Sequence, residues 1–377
     1  MPRRLLPALV LALAAATPLG AQWAPERSGT TAEFRGVSAA GARVVWAAGK
    51  GGVYARTVDG GASWRVDSVP GAASLFFVDA HAVGADTAYL LGTSFVDSIS
   101  DGRIYRTTDG GRHWTLQFRD TTKGMFLDGL AFWDARHGVA FGDPVGGSFV
   151  VLTTADGGAT WRRVPPERLP PPLPGEASFA ASGTAIATFG DSLVWFGTGG
   201  GEHARVYRST DRGRTWSVSP TPLPGGKTAG LFGVAFRDAR HGVAVGGDYT
   251  APAAAGANVL RTSDGGVTWS VAGTSAPAGV RYGVVYVPGA VRPALVATGP
   301  SGSGYSMDDG ATWTAIGTDP YNTVVFASPA AGWAAGTDGR IAKWAGRPLG
   351  ARTSGAGART SGAGASRAAA GTAAEHR

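Results

Sequence analysis

Between residues 22 and 344 the chain alternates short apolar runs with glycine-rich breaks. Val45-Trp46-Ala47-Ala48-Gly49, Val139-Ala140-Phe141-Gly142 and Val243-Ala244-Val245-Gly246 are representative. Runs of this length, rich in β-branched and aromatic residues and bounded by glycine, predict strands. No stretch holds a 3.6-residue period long enough for a helix, so the pattern predicts an all-β protein.

The breaks repeat. Thr262-Ser263-Asp264-Gly265-Gly266-Val267-Thr268-Trp269 has five counterparts, at 57–64, 107–114, 154–161, 209–216 and 306–313. Each has Ser or Thr, Asp two residues later, Gly two after that, and Trp three further on. The aspartates Asp59, Asp109, Asp156, Asp211, Asp264 and Asp308 are spaced by 50, 47, 55, 53 and 44 residues, the period of a propeller blade. Physically the unit reads as a hairpin turn. Asp accepts from backbone amides ahead of it, the glycines take positive φ, and Ser or Thr braces the turn from the preceding strand. Trp64, Trp114, Trp161, Trp216, Trp269 and Trp313 then open the next strand and are expected to bury their rings between blades. Repeated turns around a ring point away from one another, so the six aspartates are assigned structural work.

Six turns do not by themselves set the blade count. Tyr321-Asn322-Thr323-Val324-Val325-Phe326, Gly332-Trp333-Ala334-Ala335-Gly336 and Gly339-Arg340-Ile341-Ala342-Lys343-Trp344 match the first three strands of blade one, leaving an outermost strand missing. Gln22-Trp23-Ala24-Pro25 resembles the Thr-Trp that opens that strand elsewhere. The N-terminal strand is therefore expected to complete blade seven and abolish the open edge. The fold class predicted is a seven-bladed β-propeller of four-stranded antiparallel blades over residues 22–344, one domain and a monomer.

The flanks read differently. Residues 1–21 carry Arg3 and Arg4, an apolar run over 5–16 and Leu19-Gly20-Ala21, the layout of a signal peptide cleaved after Ala21. The run is too short to span a membrane, and no integral segment is expected after cleavage. The chain has no cysteine, so a lipid-modified N-terminus and disulfides are both excluded. A secreted or periplasmic location follows as an expectation. The formal charge of +7 is concentrated outside the repeats: Arg3 and Arg4 supply +2, the tail from Ala345 supplies +4, and +1 remains for 22–344. Nucleic acid is thus not an expected partner. Residues 345–377 are mostly Gly, Ala, Ser and Arg, with the segment 351–357 repeated at 358–364, and are expected to be disordered. The run around Pro170-Pro171-Pro172 reads as a stiff surface loop between blades three and four.

In a blade whose strands are counted outward from the axis, the repeated turns join strands three and four. The Asp-Ala-Arg-His-Gly turns at 134–138 and 238–242 join strands one and two on the same face, which makes His137 and His241 turn residues. Ligands are expected on the opposite face near the axis, where loops converge. There blade two inserts residues 93–101, and blades three to five bring Asp128, Asp143, Glu176, Glu202, His203, Asp248 and Tyr249. Arg35, Arg281 and Tyr282 open strands at the same end. This constellation is the candidate ligand site.

The repeat resembles the Asp-box (BNR) repeat. Gly233-Val234-Ala235-Phe236, Asp238-Ala239-Arg240-His241-Gly242 and Val243-Ala244-Val245-Gly246 precede one copy, with counterparts at 129–132, 134–138 and 139–142. Together these resemble the Ycf48-like photosystem II assembly factor branch of Asp-box propellers, over residues 22–344. The resemblance implies an exported, non-catalytic platform that binds a protein, glycan or small-molecule ligand. Photosystem assembly itself is not carried over. Bacterial relatives bear oxidoreductase or glycosyl hydrolase labels. A hydrolase would use two of the carboxylates above, about 5 Å or 6.5–9.5 Å apart. Arg35-Gly36-Val37 departs from the Arg-Ile-Pro start of sialidases. No Gly-x-Gly-x-x-Gly spacing supports a dinucleotide cofactor, no ligand spacing marks a metal, and no cofactor is expected.

Overall fold

The structure, a computed structural model, describes residues 22–350 apart from Asp97, Ala257 and residues 273–277. The leader with its cleavage site, and the tail after residue 350, lie outside the described residues. Seven four-stranded antiparallel sheets surround one axis, six of them formed by consecutive strands. The seventh pairs Thr323–Ser328, Ala331–Ala335 and Ile341–Trp344 with the N-terminal strand Trp23–Glu26, which completes the ring as its sequence anticipates.

Each repeated turn closes on itself. In blade one Thr57 Oγ1 accepts from Gly61 N at 2.9 Å and donates to Asp59 Oδ1 at 2.7 Å. Asp59 then accepts from Ser63 N and Ser63 Oγ at 2.9 and 2.6 Å. The other five copies repeat this pattern, with His113 serving in place of the hydroxyl in blade two. These bonds favour the ionised carboxylate and hold Asp156 and Asp264 down at about 2. Every turn also reaches the turn between strands one and two of its own blade, as in Gly60 N to Arg43 O at 2.9 Å and Gly265 N to Arg240 O at 2.8 Å. Both turn sets therefore share one face. His137 and His241 sit in those turns, each ring nitrogen 2.9 Å from an aspartate oxygen, Asp134 or Asp238.

Blades are joined through aromatic stacks whose polar tips end on the neighbour's turn. Tyr54 Oη donates to Gly111 O at 2.7 Å, Tyr89 Oη to Gly157 O at 2.7 Å, and Trp195 Nε1 to Gly265 O at 2.8 Å. Trp114 packs edge-on against Trp46 and Tyr54 of blade one, with centroids 5.9 and 5.1 Å away. The repeat is thus a device for holding one hairpin and receiving the adjacent blade. Replacing Asp264 with Ala is expected to cost about 1–2 kcal/mol, the loss of a turn-capping acceptor, in chemical denaturation. A change below the error of that measurement would contradict the structural role.

The chain after Trp344 is packed for longer than its composition suggests. Leu349 is buried against blades six and seven, Ala345 N donates to Gln22 O at 2.8 Å, and Val291 N donates to Gly350 O at 2.8 Å. Expected disorder from Ala345 onward is therefore corrected for residues 345–350: one leucine finds an apolar seat.

Candidate functional site

The face opposite the turns is shaped by bulges in the innermost strands. Arg35, Val78, Asp128 and Phe232 are each the extra residue in a register shift, between Phe34 and Gly36, Phe77 and Asp79, Leu127 and Gly129, and Leu231 and Gly233. A bulge re-aims the side chain it carries. All four stand at the same end of their strands, around the axial mouth.

Across that mouth lies a plug that composition did not announce. Residues 177–185, Ala-Ser-Phe-Ala-Ala-Ser-Gly-Thr-Ala, carry the chain from blade three to blade four and have the small side chains of a linker. Instead Ser178 N donates to Asp143 Oδ1 of blade three at 2.8 Å, and Arg35 Nη1 of blade one donates to Ala180 O at 3.0 Å. Gly183 N donates to Arg35 O at 2.9 Å, Ser182 Oγ to Tyr282 O of blade six at 2.7 Å, and Val234 N of blade five to Thr184 O at 2.8 Å. Partners on so many sides of the ring require the segment to cross the axis. Below it an axial cavity of about 290 Å³ is lined from all seven innermost strands, with Gly183 and Thr184 also facing it. A β-carbon at Gly183 would collide with the carboxyl of Asp79, so glycine is required by close approach.

Asp79 is a residue that sequence reasoning missed. It is 2 % exposed and accepts from Leu130 N at 2.8 Å and Ala80 N at 2.7 Å. Burial holds its carboxyl well above the usual range. Its place in the blade is taken by Gly36, Gly129, Gly233 and Gly283 in blades one, three, five and six. Aligning the blades on the glycine that ends strand two would have exposed it as the charged exception.

The candidate residues divide by burial. Asp128 is fully buried and neither carboxyl oxygen has a hydrogen-bond partner among the described residues. Burial, then the neighbouring Asp143, pushes it well above the carboxylate range. Asp143 is partly buried and pushed up to about 6 by burial, against the opposing bond from Ser178 N. Glu176 is buried under the Pro170-Pro171-Pro172 strap, where it pairs with Arg205 and accepts from Thr198 Oγ1 at 2.5 Å and Leu173 N at 2.7 Å. Arg281 is 4 % exposed, spends its guanidinium on the carbonyls of Ala278, Val280 and Gly302, and is lowered to about 10 by burial. These groups hold the face together from beneath. Glu202 and His203 are exposed, 3.5 Å apart. Asp248 caps its own loop, accepting from Thr250 N at 2.9 Å and Thr250 Oγ1 at 2.7 Å.

What remains at the surface is aromatic and basic. Phe95 and Tyr249, 45 % and 43 % exposed, are the two exposed Phe, Tyr or Trp side chains among the described residues, and both lie here. The Arg35 guanidinium sits over Phe76 and Phe95, 4.7 and 4.9 Å from their centroids. Phe179 of the plug packs on Phe232 at 4.7 Å and on Tyr249 at 6.1 Å, and Phe232 on Tyr282 at 5.4 Å. Val96 and Ile99 extend the apolar surface along the blade-two insertion. Among the described residues there is no group of three or more His, Cys, Asp or Glu placed to hold a metal, and no helix long and apolar enough to cross a membrane.

No protein-family model and no curated protein sequence matches the chain. Solved structures do. The chain is similar to a YCF48 bound to D1 peptide, at 15% identity over 86% of this chain and 96% of that one, with a TM-score of 0.61. It is similar to YCF48 from Cyanidioschyzon merolae at 15% identity, over 86% and 99%, TM-score 0.58. It is also similar to the GH74 xyloglucanase from Xanthomonas campestris at 18% identity, over 85% of this chain but 53% of that one, TM-score 0.60. At these identities the likeness is one of fold.

Proposed function

We propose that this protein is an exported binding platform that takes a segment of another protein across the axial mouth, on the Phe95–Arg35–Phe179–Tyr249 surface. The observation that carries the reading is the concentration of exposed aromatic rings, with an arginine stacked among them, on one face of a rigid ring. Exposed apolar patches of this kind mark interaction sites, and aromatic and arginine side chains are the usual anchors. The likeness in fold to a YCF48 bound to D1 peptide supports this reading. Glycoside hydrolysis is the less favoured alternative, because it needs two free carboxylates: Asp128 and Glu176 are buried, Asp143 is engaged by the plug and Asp248 by Thr250 of its own loop, which leaves Glu202 alone of the five.

Replacing Phe95 and Tyr249 together with Ser is expected to abolish partner capture from an extract of the exporting compartment while leaving the thermal midpoint within about 2 °C, since both rings already face water. Unchanged capture by the double variant would overturn the assignment of this face.

A further inference from the structure

The turn face carries a second feature, independent of the aromatic surface. Between blades three and four lies a groove of about 390 Å³ lined by Arg162, Arg212 and Arg214, with His137, Asp156 and Thr160. Arg162 follows the Trp of the blade-three turn, and Arg212 and Arg214 flank Gly213 in the blade-four turn.

Arg212 stands where four other blades have glycine. Gly60, Gly110, Gly157 and Gly265 take φ of 73°, 76°, 71° and 80° there, and Arg212 is held at 63°. That conformation is unfavourable for a residue with a β-carbon, and an outlier kept against its cost invites a functional explanation. Blade six supplies the contrast. Its residue at this place, Asp309 at φ 59°, is matched by Arg237 at 2.7 and 2.8 Å and by Tyr286 at 3.0 Å. Arg212 has no such match. Its Nε donates to Asp191 O at 2.6 Å and Arg214 Nε donates to Asp211 O at 2.8 Å, which anchors both guanidiniums and leaves their η nitrogens without a protein acceptor among the described residues. None of the three arginines is ion-paired among the described residues.

The acids nearby are spent on their own turns. Asp156 accepts from Thr154 Oγ1, Thr160 N and Thr160 Oγ1 at 2.8, 2.9 and 2.6 Å. Asp211 accepts from Ser209, Arg214 N and Thr215, and Asp134 from Arg136 N and His137. Two anchored guanidiniums, Arg212 and Arg214, with Arg162 on the facing wall, all unpaired among the described residues, match a compact dianion with several acceptor oxygens better than a single carboxylate.

We propose that this groove binds a phosphate monoester group. The test is calorimetric titration of the full chain with inorganic phosphate at pH 7.5 and low salt, against chloride at matched ionic strength. Wild type is expected to show saturable heat that chloride does not reproduce. Arg212→Gly is expected to weaken binding at least about tenfold, the loss of one charge-assisted pairing. The same variant is expected to keep or raise the thermal midpoint, because glycine adopts that backbone freely. Loss of binding without loss of stability separates a ligand site from a structural one, and Arg162→Ala provides a second variant on the other wall. Co-sedimentation with phosphatidic acid vesicles, but not phosphatidylcholine vesicles, would place the phosphate on a lipid headgroup; phosphate binding without co-sedimentation would place it on a soluble monoester. Absence of saturation beyond chloride, or an Arg212→Gly protein that binds phosphate as wild type does, overturns the proposal.

Discussion

Trp23→Ala lowers the unfolding free energy by about 3–5 kcal/mol, the usual cost of emptying a buried tryptophan site. Trp23 is 3 % exposed in a strand of only four residues. Its ring lies 5.3 Å from Trp344, 5.8 Å from Tyr321 and 6.1 Å from Phe326, and its Nε1 donates to Ser303 Oγ of blade six at 2.9 Å. One side chain thus ties the closing strand to its own blade and to the next. Its removal leaves a cavity and an orphaned hydroxyl where the two chain ends of the ring meet. Trp64→Ala, at a partly buried ring bonded to Glu26 at 2.8 Å, should cost visibly less. Equilibrium denaturation of both variants checks the order, and a Trp23→Ala protein within about 1 kcal/mol of wild type would contradict the importance of closure.

The second large effect is a loss of stability as pH rises. Asp143 titrates at about 6 in the fold against 3.8 for its ordinary value. Between those values the unfolded chain has already released its proton and the folded chain has not, so ionisation favours unfolding. The stabilisation is fully present below the ordinary value of 3.8, is lost as pH rises through about 6, and is worth about 2 kcal/mol after allowance for partial exposure. Asp128 and Asp79, both raised by burial, extend the fall to higher pH. The repeated-turn aspartates run the other way. Asp156 and Asp264, lowered to about 2, contribute stability above pH 4 that is lost in stronger acid, outside this window. Denaturation midpoints at pH 4.5 and 8 should therefore fall with rising pH. Asp143→Asn should reduce that fall while Asn Oδ1 keeps the bond from Ser178. A rising midpoint, or an unchanged difference in the variant, would show that these carboxyls are not buried as described.

The ring and its closure were legible because they are repeated and local: each turn braces itself within four residues, and Trp23 could be compared with six sister tryptophans. The plug was not legible for the opposite reason. Its contacts are with residues far along the chain, Arg35 at 145 positions from Ala180 and Tyr282 at 100 from Ser182, and small residues fit an axis for the same reason they resemble a linker. Asp128, Glu176 and Arg281 were found by position but not by exposure. Sequence places them at the mouth of the ring, while the bulges and the proline strap decide that they lie underneath it. Phe95 emerged from an inserted loop whose length, rather than its aromatic residue, had drawn notice.

The central claim is that the plugged axial mouth is the working surface. Site-specific photo-crosslinking in the native compartment tests it most directly, with the photoreactive residue placed at Phe95, at Tyr249, and at Thr312 on the turn face as control. Adducts to a common protein from the first two positions and none from the third are the predicted result. Adducts from Thr312 alone, or from none of the three, would contradict it.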